Sequence, residues 1–186
     1  MSVTRAAWGT LSAVPRPGDD VVPEANLVFD RARVIAAPPE AVWPWIVQLG
    51  KRRAGWYFPS WVERVVPSGR RAIRHIDSRW QDLSVGVRVP DYGGRDDYLE
   101  VAQLDPPGVL VYRTERRGTP FSWAITLDGL EAETTLVRLR FRGRLRSSGW
   151  RRAALVGAGE FFDRVTSELM LTGLEQRLQG VSRRAG

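Results

Sequence analysis

The stretch Ala37-Pro38-Pro39-Glu40-Ala41-Val42-Trp43-Pro44-Trp45-Ile46-Val47-Gln48-Leu49-Gly50, followed by Arg53-Ala54-Gly55-Trp56-Tyr57, decides how the rest of the chain is read. Pro38 and Pro39 suit the first turn of a helix, where a missing N–H forfeits no bond, and Glu40 complements the positive end of the helix dipole. Val42, Ile46 and Leu49 then form an apolar stripe, Pro44 falls early enough in the helix to be tolerated, and Gly50 is a natural stop. Trp43 and Trp45 are expected to pack this helix onto a sheet. Upstream, Leu27 to Ile35 alternates in the manner of a strand, although its two faces are not cleanly sorted.

Downstream, a second short helix is predicted from about Pro59 to Val65, closed by Pro67-Ser68-Gly69. From Val87 the pattern turns to short β runs: Val87–Val89, Tyr98–Leu104, Val109–Thr114, Phe121–Leu127 and Thr134–Leu145. Asp91-Tyr92-Gly93-Gly94, Asp105-Pro106-Pro107-Gly108, Arg117-Gly118-Thr119-Pro120 and Asp128-Gly129 separate them, each rich in turn formers, which predicts an antiparallel meander. Phe121, Trp123, Ile125 and Leu127 should share a face with Val137, Leu139, Phe141 and Leu145 of the partner strand. A helical period closes the chain from about Arg151 to Gln179, with Leu155, Ala158, Phe162, Val165, Leu169 and Thr172 as its apolar stripe.

Such an order of elements predicts an α+β protein. A strongly curved antiparallel sheet of six or seven strands wraps a long C-terminal helix, with two short helices after the first strand. We expect one helix-grip domain over residues 27–180, preceded by an extended arm over 1–26 that Trp8 could tack to the body, and followed by a disordered tail over 181–186.

The 186 residues are enough for one real core, and the chain has no cysteine and a single histidine, His75. Disulfides and thiolate or histidine-rich metal sites are therefore excluded, and we expect neither metal nor cofactor. No run approaches about 18 apolar residues and the start lacks a signal peptide's apolar segment, so a cytoplasmic protein is expected. With 28 basic against 21 acidic residues the chain carries +7, all but one of the basic side chains being arginine. Arg138, Arg140, Arg142, Arg144 and Arg146 alternate and share one face of the last β run. They read either as a basic stripe for an anionic membrane or nucleic acid, or as the solvated outer face of an edge strand. No specific nucleic acid is expected, a peripheral contact with an anionic membrane is allowed, and oligomeric state is left open.

These residues resemble the START-related, polyketide-cyclase-like superfamily, whose domains have the helix-grip fold. Ala37-Pro38-Pro39-Glu40 with Val42-Trp43 looks like that superfamily's first helix. A bacterial branch of it is similar at Trp8-Gly9-Thr10, Pro17-Gly18-Asp19, Arg31-Ala32-Arg33, Trp43-Pro44-Trp45, Gln48-Leu49-Gly50, Arg53-Ala54-Gly55-Trp56-Tyr57, Trp80-Gln81-Asp82-Leu83 and Met170-Leu171-Thr172-Gly173. One departure is Phe58-Pro59-Ser60, where the branch carries a further tyrosine and an aspartate. The resemblance implies a cavity between sheet and terminal helix that accepts a lipid, sterol-like or polyketide-like molecule; alternatively it implies a cyclase or dehydratase using the same cavity. An interaction module with a basic surface is the third possibility.

Candidate wall residues are Trp56, Trp61, Trp80, Tyr98, Tyr112, Trp123, Phe161, Phe162, Val165 and Leu169, because binding pockets are mostly apolar with a few placed polar groups. Aromatic residues fill cores as readily as they line cavities. His75, with an ordinary pKa near neutrality, and Tyr98 and Tyr112 are the candidate proton-transfer groups, although His75 also reads as a loop histidine in water. Glu100, Glu160 and Glu168 would join them only if buried. Gln48 and Arg53 flank the turn after the first helix and could close a cavity mouth or bond to loop backbone.

Overall fold

A computed structural model describes residues 15–185 apart from 93, 95, 96, 132, 147 and 148; Trp8 lies outside the described residues. Strand β1 (Leu27–Ile35) leads through Ala37 into α1 (Pro39–Gln48) and the single-turn α2 (Ser60–Glu63). Strands β2 (Arg88–Pro90), β3 (Tyr98–Asp105), β4 (Val109–Arg116), β5 (Thr119–Glu131) and β6 (Thr134–Gly143) follow, and α3 (Gly149–Ala185) ends the chain. The six strands form one antiparallel sheet in the order β1-β6-β5-β4-β3-β2. Register shifts between Val101 and Gln103 and between Gly129 and Glu131 break the ladders, and such bulges bend a strand and deepen its twist.

This is the α+β helix-grip architecture expected from the turn formers and the proline-opened helix. The paired face is as predicted: Trp123 opposes Phe141, Ile125 opposes Leu139 and Leu127 opposes Val137. Leu145 departs from it, because β6 ends at Gly143; the Leu145 backbone instead exchanges two hydrogen bonds with the Asn26 side chain.

The inner face of the sheet meets α1, whose Val42, Trp45 and Ile46, with Leu49 at its C-terminal cap, are buried in the core with Leu110, Ile125, Val137 and Leu139. Thr135 Oγ1 donates to the Ala37 carbonyl at 2.7 Å and so fixes the start of α1 to β6. Against this layer sits the C-terminal half of α3 through Met170, Leu171, Leu174 and Leu178. That buried stripe is not the one the periodicity predicts: Phe162 and Val165 point outward, and Thr172 turns to Arg33. Apolar residues recur on two faces of this helix, and burial goes to the face free of Glu168 and Glu175. Those two carboxylates pair with Arg33 of β1 at 2.5 and 3.6 Å, and Asp163 pairs with Arg31 at 3.3 Å. The poorly sorted alternation of β1 thereby gains a reason, since its inner face is charged where it meets α3. The backbone of α3 continues to Ala185, past residue 180 where a tail is predicted; Gly180 lies within the helix, and no proline follows to end it.

The outer face departs most from expectation. β6 lies between β1 and β5, so its arginines do not decorate an edge strand. Residues 15–26 run across this face in turns and supply counter-charges. Arg140, 2% exposed, is held by Asp19 at 2.8 Å and Asp30 at 2.8 Å; Arg142 reaches Asp19 at 3.2 Å, and Arg144 pairs with Glu24. Arg138 pairs with Asp128 of β5 at 2.8 Å. Gly18, at φ +81°, lets the segment lie close: a Cβ there would sit 2.6 Å from Val111 Cγ1.

Candidate functional site

Between α1 and α2 the backbone folds back on itself, with Gly50 and Gly55 exchanging both N–H···O bonds at 3.2 and 3.0 Å. Gly55 is required there, because its φ is +89° and a Cβ would lie 2.9 Å from Ala72 Cα. This tight turn presents Arg53 and Trp56 to the inner face of β4 and β5. Arg53 donates to the Val47 and Trp80 carbonyls, both at 2.9 Å, and its guanidinium lies 4.9 Å from the centre of the Trp80 ring.

Gln48, fully buried, fastens the turn from below. Its Nε2 donates to Tyr57 Oη at 3.1 Å and to the His75 carbonyl at 3.2 Å, while its Oε1 accepts from the Asp77 N–H at 3.1 Å. Tyr57 Oη in turn donates to the Trp45 carbonyl at 2.8 Å. Both Gln48 and Arg53 therefore bond to loop backbone, one of the two roles the sequence left open.

Four aromatic rings stack from this turn down into the core. Exposed Tyr92 meets Trp56 edge-on at 6.4 Å, Trp56 stacks on Trp123 at 5.6 Å, and Trp123 stacks on Tyr112 at 5.9 Å. Alongside, Phe121 stacks on Phe141 at 5.3 Å and Phe141 on Phe29 at 6.3 Å. Because Trp123 opposes Phe141 across the β5–β6 ladder, the two groups adjoin as one aromatic floor. Trp56, Trp123, Phe121 and Phe141 are only half-buried, whereas Tyr112 is 2% exposed.

Two polar atoms of this floor are buried without any hydrogen-bond partner, Tyr112 Oη and Trp56 Nε1. Leaving such a group unpaired costs about 1–3 kcal/mol, and both can donate a proton. Burial pushes the Tyr112 phenol far above its ordinary pKa of 10, with the Arg53 guanidinium pulling weakly the other way, so the hydroxyl keeps its proton. Burial likewise pushes the Arg53 guanidinium down, offset in part by Tyr112 and Tyr57.

Of the predicted wall residues, the structure gathers Trp56, Tyr112 and Trp123. Trp80 is half-buried beneath Arg53 and Arg79, at the rim of the same turn. Tyr98 is not among them: it sits on the outer face in register with Pro90, its ring under Arg88 at 4.3 Å. Trp61 is 64% exposed on α2, and Phe161 and Phe162 are each 70% exposed on α3, with Val165 beside them and Leu169 half-buried. His75 is an exposed loop side chain whose backbone carbonyl, not its imidazole, contacts Gln48. Glu100 lies on the outer face between Arg88 and Arg113, and the Arg113 hydrogen bond holds its carboxyl below the usual range. Tyr92, Phe121, Phe141 and Phe29 are floor residues that sequence reasoning missed; the inward alternation of β1, β5 and β6 carried the signal for the three phenylalanines. Among the described residues no cluster of histidine and carboxylate side chains could hold a metal ion, and no helix is long and apolar enough to cross a membrane. A depression of about 360 Å³ also exists, but it lies between Val21, Val22 and the β3–β5 strands, with Tyr98, Glu100 and Arg113 in its lining.

No family model matches the chain, and no curated protein matches it. Solved structures do. Protein SA2116 from Staphylococcus aureus, of unknown function, superposes with a TM-score of 0.57 at 12% identity, over 86% of this chain and 98% of that one. DynU16, from the dynemicin biosynthetic locus, gives 0.53 at 18% identity over 83% of this chain, which spans only 48% of DynU16. A START superfamily protein from Mycobacterium smegmatis gives 0.48 at 10% identity, over 83% of this chain and 98% of that one. At these identities the likeness is one of fold alone: a curved antiparallel sheet with short helices after its first strand and a long C-terminal helix.

Proposed function

We propose that this chain binds a hydrophobic small molecule on the aromatic floor between the sheet and α3. The lipid, sterol-like and polyketide-like classes are the natural candidates. The observation that carries the reading is the half-buried stack of Trp56 and Trp123 on buried Tyr112. Large rings left partly uncovered inside a fold retain apolar area that a ligand can remove from water, worth about 25 cal/mol per Å².

A cyclase or dehydratase would need at least two polar side chains converging on the bound molecule. Of His75, Tyr98 and Tyr112 only the last faces the floor, and a phenol kept protonated serves as a donor rather than a base. The anion-binding alternative loses its main feature, because Arg138, Arg140, Arg142 and Arg144 are engaged within the molecule.

Native mass spectrometry of the purified protein, with a thermal-shift screen of hydrophobic compounds, tests the proposal. A bound apolar species or a stabilising compound is expected, with affinity at least about tenfold weaker in Trp123→Ala and unchanged in the exposed control Trp61→Ala. A protein that no hydrophobic compound stabilises, or a Trp123→Ala variant that binds as well as the unaltered chain, would refute it.

A further inference from the structure

Resting on the aromatic-floor reading, we propose that the ligand is not a plain hydrocarbon but carries an oxygen acceptor, of carbonyl or phenolate type, on an apolar ring body. Tyr112 Oη and Trp56 Nε1 are the groups that read it. They flank the Trp123 ring, both are buried, and neither has a partner within the protein. Indole N–H can only donate, so the group that satisfies Trp56 Nε1 must accept, and the Tyr112 hydroxyl can donate to the same acceptor. Arg53 adds a positive field: its electrostatic influence reaches Tyr112, its Nη2 is turned to the Val47 and Trp80 carbonyls, and its Nε is a further buried donor without a partner. A positive charge acting on the Tyr112 donor favours oxygen bearing partial or full negative charge. Sites built to hydrogen-bond a ligand discriminate steeply against the analogue lacking that group, because their own donors stay unpaired.

Equilibrium dialysis with a matched pair, 2-acetylnaphthalene and 2-ethylnaphthalene, separates this inference from the reading beneath it. The unaltered protein should bind the ketone at least about tenfold more tightly. The double variant Tyr112→Phe, Trp56→Phe, which keeps an aromatic ring at both positions, should bring the ratio to about one, whatever the smaller ring does to the affinity of both probes. Infrared spectra should show the bound ketone's carbonyl stretch lowered in the unaltered protein and restored in the double variant. Equal binding of ketone and hydrocarbon overturns the inference, as it would if trapped water satisfied the two donors, yet leaves the aromatic floor standing. A ketone preference that survives in the double variant overturns it as well. Failure of both probes to bind overturns the inference together with the floor on which it rests.

Discussion

Arg177 does more than any other single side chain to join α3 to the layers beneath it. It is 3% exposed, and its Nη2 meets Glu63 at 2.5 Å while Nε and Nη1 donate to the Ile73 and Gly173 carbonyls, with the Tyr57 ring 4.5 Å away. Removing one partner of a buried pair leaves the other charge uncompensated, at a cost of about 3–5 kcal/mol. Arg74 also reaches Glu63, at 2.6 Å, so Arg177→Met should fall near the lower end of that range in urea denaturation. Tyr57 and Tyr112 give a second prediction at this scale. Burial raises both phenols above their ordinary pKa of 10, so above that pH the unfolded chain releases protons that the native state retains. Stability is thus unaffected below pH 10 and falls as pH rises beyond it; absorbance at the phenolate band should show two tyrosines ionising only when the fold is lost.

Among the elements, α3 tests how closely backbones meet. A Cβ on Gly173 would stand 2.6 Å from the Tyr57 carbonyl oxygen, a contact between two backbones that neither can relieve cheaply. Gly173→Ala should therefore cost about 1–3 kcal/mol by chemical denaturation, whereas Gly180→Ala, with open space around it, should gain about 0.5–1 kcal/mol. Turn formers and the proline-opened helix made all six strands and α1 legible from sequence, because those signals are local. The buried stripe of α3 was not legible: Phe162, Val165 and Leu169 have the same spacing as Leu171, Leu174 and Leu178. What separates the two sets is Arg33, from a strand about 135 residues earlier. Trp56, Tyr112 and Trp123 could be expected to lie together from their positions, while the outward placement of Tyr98 could not be read, since it follows from the pairing of its strand with β2, where Tyr98 opposes Pro90.

For the molecule as a whole, the formal +7 is a poor guide to what a partner meets. The arginine ladder of β6 is matched by Asp19, Asp30, Glu24 and Asp128, an arrangement invisible to a count of charges because half of its acids come from the N-terminal segment. Deleting residues 1–26 should lower the melting temperature by about 5–10 °C and confer salt-sensitive retention on heparin. If the shortened chain melts as before and elutes as before, residues 15–26 are not the shield described.

The Trp56–Trp123 stack, 5.6 Å apart and 26° from parallel, has an optical consequence. Indoles this close share their excitation, so the pair acts as one chiral chromophore whose near-ultraviolet dichroism depends on the angle between them. Any guest that slides against either ring alters that angle. For the proposed ligand the pair would therefore serve as a gauge of occupancy, legible without a label.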